Sequence, residues 1–129
     1  MKKFGIKVKY HQLLSGNTLT AVDPLGYANM ISLIAGSMFV ITDSGGIQAE
    51  TTYLGIPCLT LRKTTEQPIT VEQGTNTLCT LKELPKQIKR ILNNKYKKGT
   101  IPKLWDGQTT KRICGVIQKQ TRTTGETAI

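Results

Sequence analysis

Nine residues, "TDSGGIQAE" from Thr42 to Glu50, constrain this chain more than any other stretch. The run just before them, Met38-Phe39-Val40-Ile41, is short, β-branched and aromatic, which predicts a buried strand over Phe39 to Thr42. The stretch after them, Ile47 to Leu54, carries helix formers and ends at Gly55, a helix stop ahead of Pro57. Two adjacent glycines therefore fall in a strand-to-helix turn.

The rest of the chain repeats that rhythm. Ile6 to Tyr10 alternates apolar and Lys residues as a strand would, Gly16-Asn17 signals a turn, and Leu19 to Val22 reads as extended. Asp23-Pro24 breaks the chain. Tyr27, Met30, Ile31, Ile34 and Met38 recur at helical spacing, so an amphipathic helix is expected to end near Gly36-Ser37. Pro57 to Leu61 predicts a second buried strand and Asn76 to Thr80 a third. Between them Arg62 to Gly74 is polar, carries Pro68 and reads as a long loop with room for one helical turn. Leu84, Ile88, Ile91 and Leu92 define one face of a helix with Pro85 in its first turn. Asn93 to Pro102 is a basic connection. Asp106-Gly107 opens a last helix with Ile113, Val116 and Ile117 as its apolar face, and Gln120 to Ile129 reads as a frayed tail.

Strands alternating with helices predict an α/β fold: a Rossmann-like parallel sheet with flanking helices, in one domain over residues 1–129. Ligands of such sheets sit beyond the carboxyl ends of the strands, where Asp43-Ser44-Gly45-Gly46 falls.

Composition narrows the function classes. No apolar run approaches membrane-spanning length, and the start, Met-Lys-Lys-Phe-Gly-Ile-Lys, lacks the apolar core of a signal peptide. Cys58, Cys79 and Cys114 are odd in number, widely spaced and set among apolar residues, which favours reduced thiols in a cytoplasmic protein over disulfides or a metal site. The net charge is +10. Six basic against five acidic residues up to Thr80 leave +1, and twelve against three from Leu81 onward leave +9. The excess lies on Lys86, Lys89, Arg90, Lys95, Lys97, Lys98 and their neighbours, largely opposite helical apolar positions, as a solvated face would place it. No base-reading motif accompanies it and aromatics are 5% of residues, so no nucleic-acid partner is expected.

The glycines admit two explanations. A helix starts with unpartnered backbone N–H groups at its electropositive end, and glycines let an anion approach them. Ser44 can cap the helix or donate its hydroxyl to a phosphate oxygen. The alternative is a tight turn in which Gly supplies an unusual φ and Ser caps. Glu50, one turn deeper and leaning toward the helix start, could accept hydrogen bonds from sugar hydroxyls near such an anion, or could merely complement the helix dipole.

A resemblance adds to this. "PLGY", "VITDSGGIQAE", "LGIPCLTLR", "TTEQP" and "EQGTN" occur in an order that resembles the C-terminal domain of the non-hydrolysing UDP-N-acetylglucosamine 2-epimerases, of glycosyltransferase-B architecture. The likeness runs from about Asp23 through "DGQTTKRI" and corresponds to about the last third of a complete family member, so the chain reads as truncated. It implies that Ser44, Gly45 and Gly46 hold the UDP phosphates, that Glu50 binds the ribose, and that Gln67 stands where the family has an Arg facing the diphosphate. Met30 stands where an aromatic near the base is common, and Ala49 replaces the first acid of "IQEE". The implied reaction interconverts UDP-N-acetylglucosamine and UDP-N-acetylmannosamine without a cofactor or metal. The family's catalytic acids and His lie upstream, so no catalytic residue is expected in this chain, and His11 reads as incidental. A homodimer or a missing N-terminal domain are the expected partners besides the UDP-sugar. The alternatives are the nucleotide-binding domain of a UDP-sugar-dependent glycosyltransferase and, from another class, a basic nucleic-acid-binding module.

Overall fold

A computed structural model describes residues 20–125. The chain divides into two compact units, residues 1–30 and 31–129. The strand expected over Ile6 to Tyr10, the Gly16-Asn17 turn and the end of the tail lie outside the described residues. In the first unit, Thr20 to Gly26 has no regular structure and leads into helix α1, Tyr27–Ala35, which continues into the second unit.

The second unit carries β1 (Val40–Thr42), α2 (Gly45–Leu54), β2 (Cys58–Thr60), α3 (Pro68–Glu72), β3 (Asn76–Leu78), α4 (Leu84–Leu92) and α5 (Thr109–Gly125). The three strands are parallel in the order β1-β2-β3, with Val40 opposite Cys58 and Cys58 opposite Asn76. This is the α/β arrangement that the alternating pattern predicts. Each crossover is a helix because parallel neighbours cannot be joined by a tight turn.

Side chains alternate across a strand, and here the alternation separates two different interiors. On one face Leu59 and Cys79 pack with Ile91 of α4, flanked by Phe39, Leu61, Leu84, Ile88 and Tyr96. On the other face Cys58, Thr60 and Asn76 are fully buried beneath α2 and α3, whose own buried residues are Gln48, Thr51, Thr52 and Thr70. That second interior is polar.

Several boundaries move from the expectation. The glycines are the first two residues of α2 rather than a turn before it. Gly55 does stop that helix: at φ 72 it is left-handed, and its N–H reaches the Thr51 and Thr52 carbonyls. The loop after β2 contains α3, with Pro68 at its first turn. The last helix starts at Thr109, after Asp106 Oδ1 accepts the Gln108 N–H at 3.0 Å, and it runs on to Gly125 through residues expected to fray. Tyr27, Met38, Leu92, Ile113, Val116 and Ile117, expected on buried faces, are exposed, and Ile34 is the buried residue of α1. Cys114 is likewise exposed, whereas Cys58 and Cys79 are buried, and all three are free thiols.

Candidate functional site

Two residues separate the end of β1 from the first residue of α2. β1 closes at Thr42, Asp43 follows, and Ser44 occupies the N-cap of α2 in an extended conformation (φ −82, ψ 130). The Ser44 side chain makes no capping hydrogen bond; instead its backbone N–H donates to Thr42 Oγ1 at 3.0 Å. The hydroxyl expected either to cap or to meet an anion is thus not used as a cap. At a helix start the first N–H groups have no partner within the helix, and the helix dipole makes that end electropositive.

Gly45 and Gly46 differ in what their missing side chains allow. Neither has a positive φ; among the described glycines only Gly55 and Gly107 do. The explanation by an unusual backbone angle therefore fails here. A Cβ on Gly45 would run into the carboxylate of Glu66, whereas a Cβ on Gly46 would meet nothing closer than Ser44 Oγ at 3.9 Å. A Cβ on Gly45 would have to push aside the flexible end of Glu66, and Gly46 leaves open space. The other oxygen of that carboxylate, Glu66 Oε2, accepts from Arg62 Nη1 at 2.8 Å, in an exposed pair. Sequence reasoning assigned neither Glu66 nor Arg62 to the turn. No periodicity connects a loop residue to the start of an earlier helix.

Glu50 is half-buried in α2, one turn beyond Gly46. Gln67 is half-buried at the N-cap of α3. Its N–H donates to Thr65 Oγ1 at 2.9 Å, and its carbonyl accepts from the Thr70 N–H at 3.0 Å and Thr70 Oγ1 at 2.7 Å. Met30 is half-buried within α1, in the unit of residues 1–30. The structure thus brings the loop of Glu66 against the Ser44–Gly46 helix start.

A buried polar network fixes that loop. Gln48 Oε1 accepts from Thr65 Oγ1 at 2.6 Å and from Asn76 Nδ2 at 3.0 Å. Asn76 Nδ2 also reaches Thr70 Oγ1 at 3.0 Å, and Asn76 Oδ1 accepts from Thr60 Oγ1 at 2.6 Å. Gln48 Nε2 is buried without a partner. One chain of contacts therefore runs from β2 through β3 and α2 to the residue beside Glu66. The hint in the sequence was a Gln, an Asn and several Thr at otherwise apolar positions of short strands and helices.

Elsewhere, a cleft of about 520 Å³ opens at the amino ends of the strands, lined by Met38, Pro57, Thr75, Tyr96 and Lys97 among others. Lys97 Nζ donates to the Val71 carbonyl at 2.6 Å, and burial lowers its pKa. That cleft is at the opposite end of the sheet from Ser44. Among the described residues no cluster of His, Cys, Asp and Glu could hold a metal ion, and no helix is long and apolar enough to cross a membrane.

Comparison with known proteins gives a consistent answer. A family model described as UDP-N-acetylglucosamine 2-epimerase matches residues 5–118. The UDP-N-acetylglucosamine 2-epimerase of Methanocaldococcus jannaschii is 36% identical over 97 residues, 74% of this chain and 26% of that protein. The enzyme of the same name from Campylobacter jejuni is 48% identical over 62 residues, 48% of this chain and 16% of that protein. The crystal structure of the M. jannaschii UDP-GlcNAc 2-epimerase in complex with UDP-GlcNAc and UDP superposes with a TM-score of 0.69 at 32% identity, covering 85% of this chain and 30% of that one. The chain spans less than a third of the length of each of these relatives.

Proposed function

This chain belongs to the UDP-N-acetylglucosamine 2-epimerase family, and from that premise we propose that it is the UDP-holding part of such an epimerase. In this reading the N–H groups at the start of α2 and the Ser44 hydroxyl take the diphosphate. Gly45 and Gly46 give it access, Glu50 accepts hydrogen bonds from the ribose, and Gln67 approaches the diphosphate from the loop. The observation that carries the proposal is the α2 N-terminus itself. It stands at the carboxyl end of β1, has no side-chain cap, and already has a carboxylate against Gly45.

The chemistry divides in two. Interconversion of UDP-N-acetylglucosamine and UDP-N-acetylmannosamine requires a base at carbon 2, and it requires a pocket that stabilises UDP as it leaves and holds it for re-addition. A helix start can do the second: its aligned N–H groups favour the departing diphosphate over the bound ester because more negative charge collects there. For the first we propose residues outside these 129, in a preceding N-terminal domain or a partner chain. The free buried thiols Cys58 and Cys79 support a cytoplasmic site of action.

Titrating UDP and uridine while following backbone amide signals tests the reading. Residues Ser44 to Ile47 should shift with UDP at millimolar concentration and much less with uridine. Signals that stay still there while others move would place the nucleotide elsewhere. The isolated chain should also put no solvent deuterium on carbon 2 of UDP-N-acetylglucosamine above a buffer blank.

A further inference from the structure

Resting on that reading of the site, we propose that Glu66 is a built-in anion that a diphosphate must displace, and that its displacement hands Arg62 to the diphosphate as the cation Gln67 does not supply. The ligand class is a nucleoside diphosphate or its sugar ester, and the residues concerned set affinity for the diphosphate portion.

Three observations combine. The Glu66 carboxylate occupies the space that a Cβ on Gly45 would need, so it lies against the first residue of α2. Its second oxygen is held by Arg62 Nη1 at 2.8 Å. One carboxylate thus stands between a guanidinium and a helix start, two groups that each favour negative charge. A diphosphate entering there meets like charge, and the exposed, flexible Glu66 side chain is the part able to move. The loop backbone is not: Thr65, the residue before Glu66, is tied to buried Gln48 at 2.6 Å, and its hydroxyl also accepts the Gln67 N–H. Exchange of anions is therefore a side-chain rotation on a fixed loop. Once Glu66 has turned away, Arg62 keeps its charge, loses its partner, and has a planar fork suited to two phosphate oxygens. Gln67 offers one neutral amide in its place.

Calorimetry with UDP and uridine on the 129-residue chain separates the possibilities. Glu66→Gln should tighten UDP by about fivefold, the scale of an exposed charge pair, and leave uridine within about twofold. Arg62→Gln should weaken UDP by about fivefold, also in the Glu66→Gln background, and again spare uridine. If Arg62 served only to anchor Glu66, removing it from Glu66→Gln would change nothing, and the hand-over would be wrong. Unchanged UDP affinity in both single variants, with Ser44 to Ile47 amides still shifting on UDP, would overturn this proposal while sparing the nucleotide site. Silence of those amides in the unmodified chain would take both down. Circular dichroism of each variant, expected to match the parent because both side chains are exposed, confirms that folding is intact.

Discussion

Gln48 Oε1 and Thr65 Oγ1, 2.6 Å apart, join the interior of α2 to the loop that reaches back over its own N-terminus. The same oxygen accepts from Asn76 Nδ2, so one buried amide serves two donors. Gln48→Leu fills similar volume but leaves the Thr65 hydroxyl and one Asn76 N–H without their acceptor. The expected loss is about 2–4 kcal/mol, since each stranded buried group costs about 1–3 kcal/mol. Urea unfolding measures it; a loss below about 0.5 kcal/mol, the scale of an unremarkable surface change, would show that the loop is not anchored through this amide.

Gln67→Arg should tighten UDP by about 1–2 kcal/mol, the difference between a neutral and a charge-assisted contact in a partly wet site. The gain should shrink with added salt and be much smaller for uridine. Glu50→Gln should weaken uridine and UDP alike, because both present the ribose. Equal effects of Gln67→Arg on the two ligands would mean that Gln67 does not face the diphosphate.

Much of this architecture was legible because strand and helix periods differ and the punctuating residues are strong. Gly55 and Pro57 fixed the end of α2 by backbone chemistry alone. The helix starts two residues earlier than expected because glycine has poor helix propensity, and the approach of Glu66 to Gly45 from a distant loop leaves no local signal. The polar interior was missed for a related reason. A Gln in a helix reads as surface until its partners, here Thr65 and Asn76, are known to converge on it. The exposed faces of α1 and α5 show the converse: helical spacing locates an apolar stripe but does not say what covers it.

The three thiols should divide by accessibility. Burial raises the pKa of both Cys58 and Cys79, which leaves them little thiolate, whereas Cys114 is exposed on α5. An Ellman-type reagent at pH 8 should titrate one thiol quickly and the other two only with denaturant. Two fast thiols in native buffer would contradict the burial of the Cys58–Cys79 region.

Tyr96 gives an alkaline limit. Its hydroxyl lies 3.0 Å from the Cys58 and Thr75 carbonyls and 2.7 Å from Thr77 Oγ1, and burial pushes its pKa up to about 12 from an ordinary 10.0. The raised value means that the folded chain holds this proton more tightly than the unfolded one. Its contribution is therefore complete below pH 10 and disappears as pH climbs toward 12. Tyr96→Phe should remove that portion of the alkaline fall in stability and cost about 0.5–1.5 kcal/mol at neutral pH. An identical alkaline profile in the variant would assign the fall to other groups.

The unlike faces of the sheet have a consequence for how the chain finds its fold. Strands of three residues are too short for their backbone hydrogen bonds to choose one alignment over the next. Sliding β2 by a single residue would present Leu59 to Asn76 and carry Thr60 toward Ile91, stranding an amide on one side and burying a hydroxyl in the apolar cluster on the other. Each misaligned pairing is thus penalised twice. Side chains that gain little stability by being buried, Thr60 and Asn76 among them, act as a proofreading key that rejects the wrong pairings.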